Sequence, residues 1–262
     1  MTGPRIFAPE YYARMRALES GSWWSAAMRD TATRWLMRAS LPARGLLLDV
    51  GCGSGQTMSW FARHWPGWQT VGLDVSRDGL HAARLGTGQP VLGASATNLP
   101  LPDSRVDAII TLDVLQHLPL RGGDVRALAE MRRVLKPGGV LLVRTNAQSW
   151  PRTSDDEPYN FHKYSTGELR GKLEAAGFVV RRLGSLNALL GLAEIPRELR
   201  VRRVAGTGYA GLLAKAPGAD PLWRAKHAWL RLEGSLVGAG LSLPLGRTIL
   251  AIAHAGAKGG ST

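Results

Sequence analysis

The sequence predicts an α/β fold built on a doubly wound, seven-stranded sheet that is parallel except for its last strand. Three observations lead there. An apolar run, LLLDV at 46–50, ends abruptly in the glycine-rich turn GCGSG at 51–55, as a buried parallel strand does when it hands over to a helix. Short apolar strands then alternate with stretches of helical spacing as far as residue 183, a rhythm that parallel strands joined by crossover helices satisfy. Finally, RTILAIAHA at 247–255 resumes strand character after a long helical stretch, which places the last strand antiparallel and beside the sixth.

The elements follow in order. Gly45 and Gly51 bracket the first strand, and a helix from about 54 to 64 is stopped by Pro66 and Gly67. QTVGLDV (69–75) is the second strand, followed by a helix near 77–85, and PVLGA (90–94) is the third. VDAIITL (106–112) is the fourth strand. VRALAEMRRVL (125–135) has helical spacing and runs into KPGG, a helix stop and turn. VLLVRT (140–145) is the fifth strand, 166–176 a short helix closed by Gly177, and 178–183 the sixth strand. Residues 1–44 read as a helical N-terminal lid, 45–183 as the core, 184–240 as a helical insertion covering the substrate, and 241–262 as the last strand and tail.

A chain of 262 residues, 45% hydrophobic and 20% charged, is an ordinary globular one, which excludes disordered and fibrous classes. Its charge is not ordinary: 33 Lys+Arg stand against 20 Asp+Glu, a formal net of +13. Residues 46–180 carry only +1, whereas 1–45 carry +4 and 181–262 carry +8, so the excess belongs to the flanks. An anionic partner accounts for this, and so does an arginine-rich genome composition, since only six of the basic residues are Lys. The single Cys52 excludes an intramolecular disulfide, and no Cys/His cluster has metal-ligand spacing, so no metal is expected. The N-terminus lacks the apolar run of a signal peptide, and no apolar stretch reaches the roughly 18 residues of a membrane span. A cytoplasmic protein is expected, with a peripheral membrane contact as the open alternative.

The segment LLLDVGCGSGQ (46–56) carries the most chemistry. Glycines at 51, 53 and 55 allow tight backbone dihedrals and close approach of a ligand to the main chain. Their spacing is G-x-G-x-G, not the G-x-G-x-x-G of dinucleotide enzymes. Asp49 beside the turn would repel a pyrophosphate but attract a cationic ligand. Asp74 ends the next strand 19 residues after Gly55, and a carboxylate there can accept both hydroxyls of a ribose. Ser95 and Ala96 follow the third strand.

Taken in order, DVGCGSG, GLDVS, NLPLPDSRVDAIITLDVLQHL, RRVLKPGGVLLV and YSTGELRGKLEAAGF resemble the class I S-adenosylmethionine-dependent methyltransferases, in the type 11 group that acts on small molecules. The resemblance covers roughly 45–183 and implies a Rossmann-like core. It implies that Gly51, Gly53 and Gly55, with Cys52 between them, face the amino-acid portion of S-adenosyl-L-methionine, and that Asp49 sits near its amino group. Asp74 would hold the ribose with Val75 beside it. Ser95 and Ala96 would meet the adenine edge, and Leu112, Asp113 and His117 would line the cofactor near the reactive methyl. Many relatives carry Asp where this chain has Ser95, which can still hydrogen-bond an exocyclic amine, though more weakly.

Three residues are candidates for a general base: His117 just past the fourth strand, and His162 and Tyr164 in the connection after the fifth. A packing role is the alternative for each. Asp155, Asp156 and Glu157 form an acidic run that is a solvated turn or a contact for a cationic acceptor. Tyr11, Tyr12, Trp23 and Trp24 in the N-terminal segment either close the site against water or pack on the core.

The net charge raises nucleic acid as an acceptor, but three features oppose it. LDVLQHL lacks the Asn/Asp-Pro-Pro-aromatic motif, Cys52 lies inside the glycine turn and not where a cytosine-directed nucleophile would, and no RNA-binding module is visible. A small-molecule or lipid-linked acceptor fits better, because LGSLNALLGLAEI, RELRVRR and WRAKHAWLRL set apolar stripes beside Arg clusters. An RNA or protein methyltransferase and an inactive, methyltransferase-like binding protein are the other readings.

Overall fold

The protein is described from a computed structural model, which covers residues 12, 16–17, 21–119, 121–148, 162–190, 221–241, 243 and 245–257. Its strands are β1 (Gly45–Val50), β2 (Trp68–Asp74), β3 (Val91–Gly93), β4 (Val106–Leu112), β5 (Leu135–Asn146), β6 (Phe178–Leu186) and β7 (Thr248–Ala255). They form one seven-stranded sheet in the order β3-β2-β1-β4-β5-β7-β6. Strand β7 runs antiparallel to both neighbours, so the last strand is not merely beside the sixth but wedged between it and the fifth. Strand β1 pairs in parallel with β2 on one side and with β4 on the other. The winding therefore reverses at β1, and the carboxyl ends of β1 and β4 diverge into the crevice where open α/β sheets take their ligands.

Helices α1 (Trp23–Met37), α2 (Gln56–His64), α3 (Arg77–Thr87), α4 (Gly123–Val134), α5 (Thr166–Ala175) and α6 (Trp223–Gly238) cover the sheet, with a 3-10 turn at Leu115–His117. Serine hydroxyls start three of them: Ser22, Ser76 and Ser165 accept from the amides of Ser25, Gly79 and Glu168, satisfying donors that lack an intrahelical partner. Leu47, Ala108, Ile110, Leu142 and Ile252 face α1, α2 and α6 on one side of the sheet. Leu48, Ile109, Leu141, Val143 and Ala251 face α4 and α5 on the other. Strands buried on both faces explain why the sequence shows continuous apolar runs and not alternation.

Two boundaries differ from the sequence reading. Leu135, placed in a helix by its spacing, begins β5, and Lys136–Gly139 is an excursion within that strand: Val106 pairs with Leu135 and Ala108 with Val140. The turn chemistry of KPGG is thus spent on a bulge, with Gly138 at φ +75°. Strand β6 continues to Leu186 because Gly184, Ser185 and Leu186 find partners in Leu250, Ile249 and Thr248.

Within the described residues, the N-terminal and insertion segments contribute α1 and α6, which pack on one face of the sheet. Helices α1 and α6 lie parallel: Trp223 Nε1 donates to Gly21 O at 3.0 Å, His227 and Arg231 both meet Asp30, and Trp35 Nε1 donates to Gly234 O at 3.1 Å. Their close approach depends on glycine. A Cβ on Gly234 would stand 2.4 Å from Thr31 Oγ1, and one on Gly238 would stand 2.5 Å from Trp35 Nε1. Residues 191–220 of the insertion, Tyr11 and the acidic run at 155–157 lie outside the described residues.

Gly234→Ala gains helix propensity of about 1 kcal/mol but overpacks a buried, stiff threonine at about 1–3 kcal/mol. It should lower the melting temperature. Gly171→Ala, in α5 with nothing within 4 Å of the added methyl, should raise it by stabilising about 0.5–1 kcal/mol. Thermal denaturation of the two variants against the parent checks the opposite signs.

Candidate active site

Three backbone amides tie the glycine turn to the end of β2. Gly51 and Cys52 N–H both donate to Leu73 O, at 2.7 and 3.0 Å, and Gly53 N–H donates to Asp74 Oδ2 at 2.9 Å. Gly51, Gly53 and Gly55 are all left-handed, at φ 78°, 48° and 79°. At Gly51 a side chain is excluded twice, by the backbone and by Val114 Cγ2, which would lie 2.1 Å from its Cβ. The turn holds two carboxylates at neighbouring strand ends: Asp49, buried at 1% exposure, and Asp74, whose Oδ1 accepts from Ser76 N–H at 2.8 Å. Each carboxylate oxygen has two acceptor sites, so Asp74 keeps capacity for two hydroxyls beside its backbone donors.

Helix α2 starts directly after Gly55, which supplies no side-chain cap, so its first amides are available to an anionic group such as a carboxylate. Burial, with Asp49 and Asp74 nearby, pushes the Cys52 thiol well above its ordinary value and keeps it protonated. An ammonium for Asp49, hydroxyls for Asp74 and a carboxylate for the α2 amides are the groups of an amino-acid nucleoside. Tyr12 closes this end. Its ring lies 3.7 Å from where a Cβ on Gly53 would be and 3.0 Å from one on Gly79. Burial pushes its hydroxyl up to about 12, against the effect of its hydrogen bond with Ser76. Val75, next to Asp74, is 71% exposed. Beyond β3, Ser95 Oγ shares a hydrogen bond with Thr97 Oγ1 at 2.8 Å, and Ala96 is buried.

The other side of the crevice is built at the ends of β4 and β5. Leu112 is half-buried, and Asp113, left-handed at φ 59°, forms a bidentate pair with Arg144 directly across the ladder. The guanidinium lies 4.7 Å from the centroid of the Trp24 ring, in the first turn of α1. His117 sits in the 3-10 turn after Asp113. Burial lowers its pKa below the ordinary 6.5, and the Asp113 charge opposes that shift only in part. His162 is tied to the same turn by its N–H to Gln116 O at 3.1 Å, and its Nε2 lies 2.9 Å from Glu168 Oε1. Tyr164 is turned inward at 1% exposure: its hydroxyl lies 3.0 Å from Asp124 Oδ2 and 3.3 Å from Leu115 O. Burial and Asp124 push that hydroxyl far above its ordinary value, so it holds its proton and ties the turn to α4.

The structure therefore gathers Asp49, Gly51, Cys52, Gly53, Gly55, Asp74, Asp113 and His117 at one sheet edge, and puts Tyr164 in the core. Sequence reasoning missed Arg144 and Val114. An Arg inside the apolar run VLLVRT was the available signal, because a charge on a buried strand requires a partner. Among the described residues no group of three or more His, Cys, Asp or Glu could hold a metal ion.

A methyltransferase-domain family model matches residues 48–143. An uncharacterized methyltransferase of Mycobacterium bovis (strain BCG / Pasteur 1173P2) is 32% identical over 196 residues, 72% of this chain and 72% of the relative. The chain belongs to the class I S-adenosylmethionine-dependent methyltransferases, in the type 11 group. This methyltransferase is also 36% identical over 115 residues to a tRNA (carboxymethyluridine(34)-5-O)-methyltransferase of Arabidopsis thaliana, 44% of this chain and 27% of that one. It is 30% identical over 149 residues to a trans-aconitate 2-methyltransferase of Azoarcus sp. (strain BH72), 56% of each. The chain thus spans about half or less of those two relatives. Its fold matches a chain from the complex between the Haloferax volcanii Trm112 methyltransferase activator and a methyltransferase, with a TM-score of 0.61 at 20% identity, over 97% of this chain and 100% of that chain.

Asp74→Ala removes the acceptor for two backbone amides and the carboxylate capacity left over for a ligand's hydroxyls. Binding of S-adenosylhomocysteine, measured by calorimetry, should weaken by about tenfold or more, since each hydrogen bond to a charged group is worth about 1.5–3 kcal/mol.

Proposed function

We propose that this methyltransferase acts on a small-molecule or lipid-linked acceptor bearing an oxygen or nitrogen nucleophile, with His117 as the general base. The observation that carries the reading is the position of His117. It follows β4 at the carboxyl edge beside Asp113, and burial holds its imidazole neutral near pH 7.

When bound, S-adenosylmethionine supplies an electrophilic sulfonium methyl. Asp49 and the first amides of α2 would hold its amino-acid end, Asp74 its ribose hydroxyls, and Ser95 with Ala96 its adenine edge. Tyr12 and Trp24 exclude water from the two sides of the crevice, which strengthens every polar contact inside. An imidazole nitrogen of His117 takes the proton from the acceptor as it attacks, and the neighbouring Asp113 carboxylate stabilises the imidazolium that results. Arg144 fixes Asp113 in place for this. His162 and Glu168 form a second acid–base pair at the same turn and are read as acceptor contacts.

The relatives support more than one acceptor class: one is named for trans-aconitate, a small anion, and one for tRNA. The small acceptor is favoured because the crevice is bounded by Tyr12, Trp24 and Arg144 within the described residues. A tRNA acceptor would instead use the basic flanks, and its binding would weaken steeply with salt.

His117→Asn should lower kcat/KM about 10²–10⁴-fold while leaving S-adenosylhomocysteine affinity within about threefold. In the parent enzyme the acid limb of kcat/KM should fall below pH 6.5, the ordinary value from which burial lowers His117, and the Asn variant should lack it. Folding stability follows the same sign. The unfolded chain binds the His117 proton more readily, so stability drops as pH falls below 6.5. An unaltered pH profile in the variant would remove His117 from the role of base.

A further inference from the structure

Among the described residues, the outward face of α6 is the large apolar helix surface that the catalytic reading leaves unused. Trp229, Leu232 and Leu236 are 41%, 51% and 45% exposed, and Leu222 just before the helix is 58% exposed. Ala225 and Ala228 are exposed between them. At about 100° per residue these six side chains share one arc of about 120°, running about 21 Å from Leu222 to Leu236. The opposite side of the helix is fully used, with Leu230 and Val237 in the core and Gly234 against Thr31. The face is therefore additional to what packing α6 on the protein requires.

Charge decides what the face suits. Arg224 and Arg231 follow one border of the apolar arc at a spacing of seven residues, Arg231 being paired with Asp30, and Lys226 lies beyond the other. The only carboxylate on α6, Glu233, is buried at 6% exposure with its Oε1 accepting from Ala188 N–H at 2.9 Å, and its pKa is raised by that burial. No acidic side chain of the helix meets solvent. A broad aliphatic arc with a Trp in it, bordered by cations, is the composition of a helix that lies in the plane of an anionic bilayer. A single-stranded RNA would call for aromatic stacking platforms, where this arc offers leucines.

We infer that the outer face of α6 is a peripheral membrane contact for an anionic lipid surface. The Trp229–Leu232–Leu236 arc enters the acyl boundary while Arg224 meets the headgroups. The start of α6 stands beside Gly21 and Trp23, next to the Trp24 that covers Arg144. Docking in this way brings the crevice mouth alongside the lipid. The inference does not rest on the acceptor assigned above.

Flotation of the full chain with phosphatidylcholine vesicles, with and without phosphatidylglycerol, tests it. The parent should float with the anionic vesicles at low salt and dissociate as salt rises. The Trp229→Glu/Leu232→Glu double variant should lose about tenfold or more in partitioning. Both positions are exposed, so its melting temperature and its affinity for S-adenosylhomocysteine should match the parent. Arg224→Glu should weaken binding to anionic vesicles alone. Three results would overturn the inference: no flotation of the parent at low salt, flotation unchanged in the double variant, or a parent that ignores vesicles but forms a dimer, or binds RNA, through this face.

Discussion

Three N–H groups, those of Gly51, Cys52 and Gly53, reach across to the last two residues of β2, and the geometry of the crevice depends on them. They pull the β1 turn over the neighbouring strand end, which brings Asp49 and Asp74 to adjacent positions and starts α2 from Gly55. Two carboxylates in so small a space repel one another, and the turn offsets this by aiming a backbone donor at Asp74. The left-handed conformation at all three glycines is what lets consecutive amides point the same way.

A second clasp, independent of the first, organises the acceptor side. The Arg144–Asp113 pair spans β4 and β5, and Trp24 lies over it. Removing one member of a largely buried pair leaves the other uncompensated, a cost of about 3–5 kcal/mol when burial is complete and less here, where Asp113 is partly exposed. The pair therefore links α1 to the two strands that present His117. Tyr164 and Asp124 do the same from beneath, joining the 3-10 turn to α4 and to the segment that carries His162.

Much of the fold was legible because its determinants are local. LLLDVGCGSG specifies a buried strand and a turn that only glycine makes easily, and the serines at 22, 76 and 165 start helices within three residues of themselves. The placing of two carboxylates at neighbouring strand ends was equally legible, since Asp49 and Asp74 sit at fixed offsets from those ends. What escaped were pairings set by register and layer. Arg144 meets Asp113 only because Leu112 aligns with Arg144 in the ladder. Leu135 looked helical because its spacing continues that of α4, while its actual partner, Val106, lies on another strand. The inward turn of Tyr164 depends on Asp124, 40 residues away. The interlocking of Gly234 with Thr31 joins segments separated by most of the chain.

That interlocking aligns two helices in the same direction. Each helix carries about half a positive charge at its amino end, and like ends side by side repel. Here the amino ends of α1 and α6 both lie at the carboxyl edge of the sheet, and α2 begins at that edge as well. Backbone dipoles alone therefore give the mouth of the crevice a positive potential, before any arginine is counted. That contribution stands whatever side chains occupy the edge, and it offsets part of the negative charge that Asp49, Asp74 and Asp113 bring to the same place.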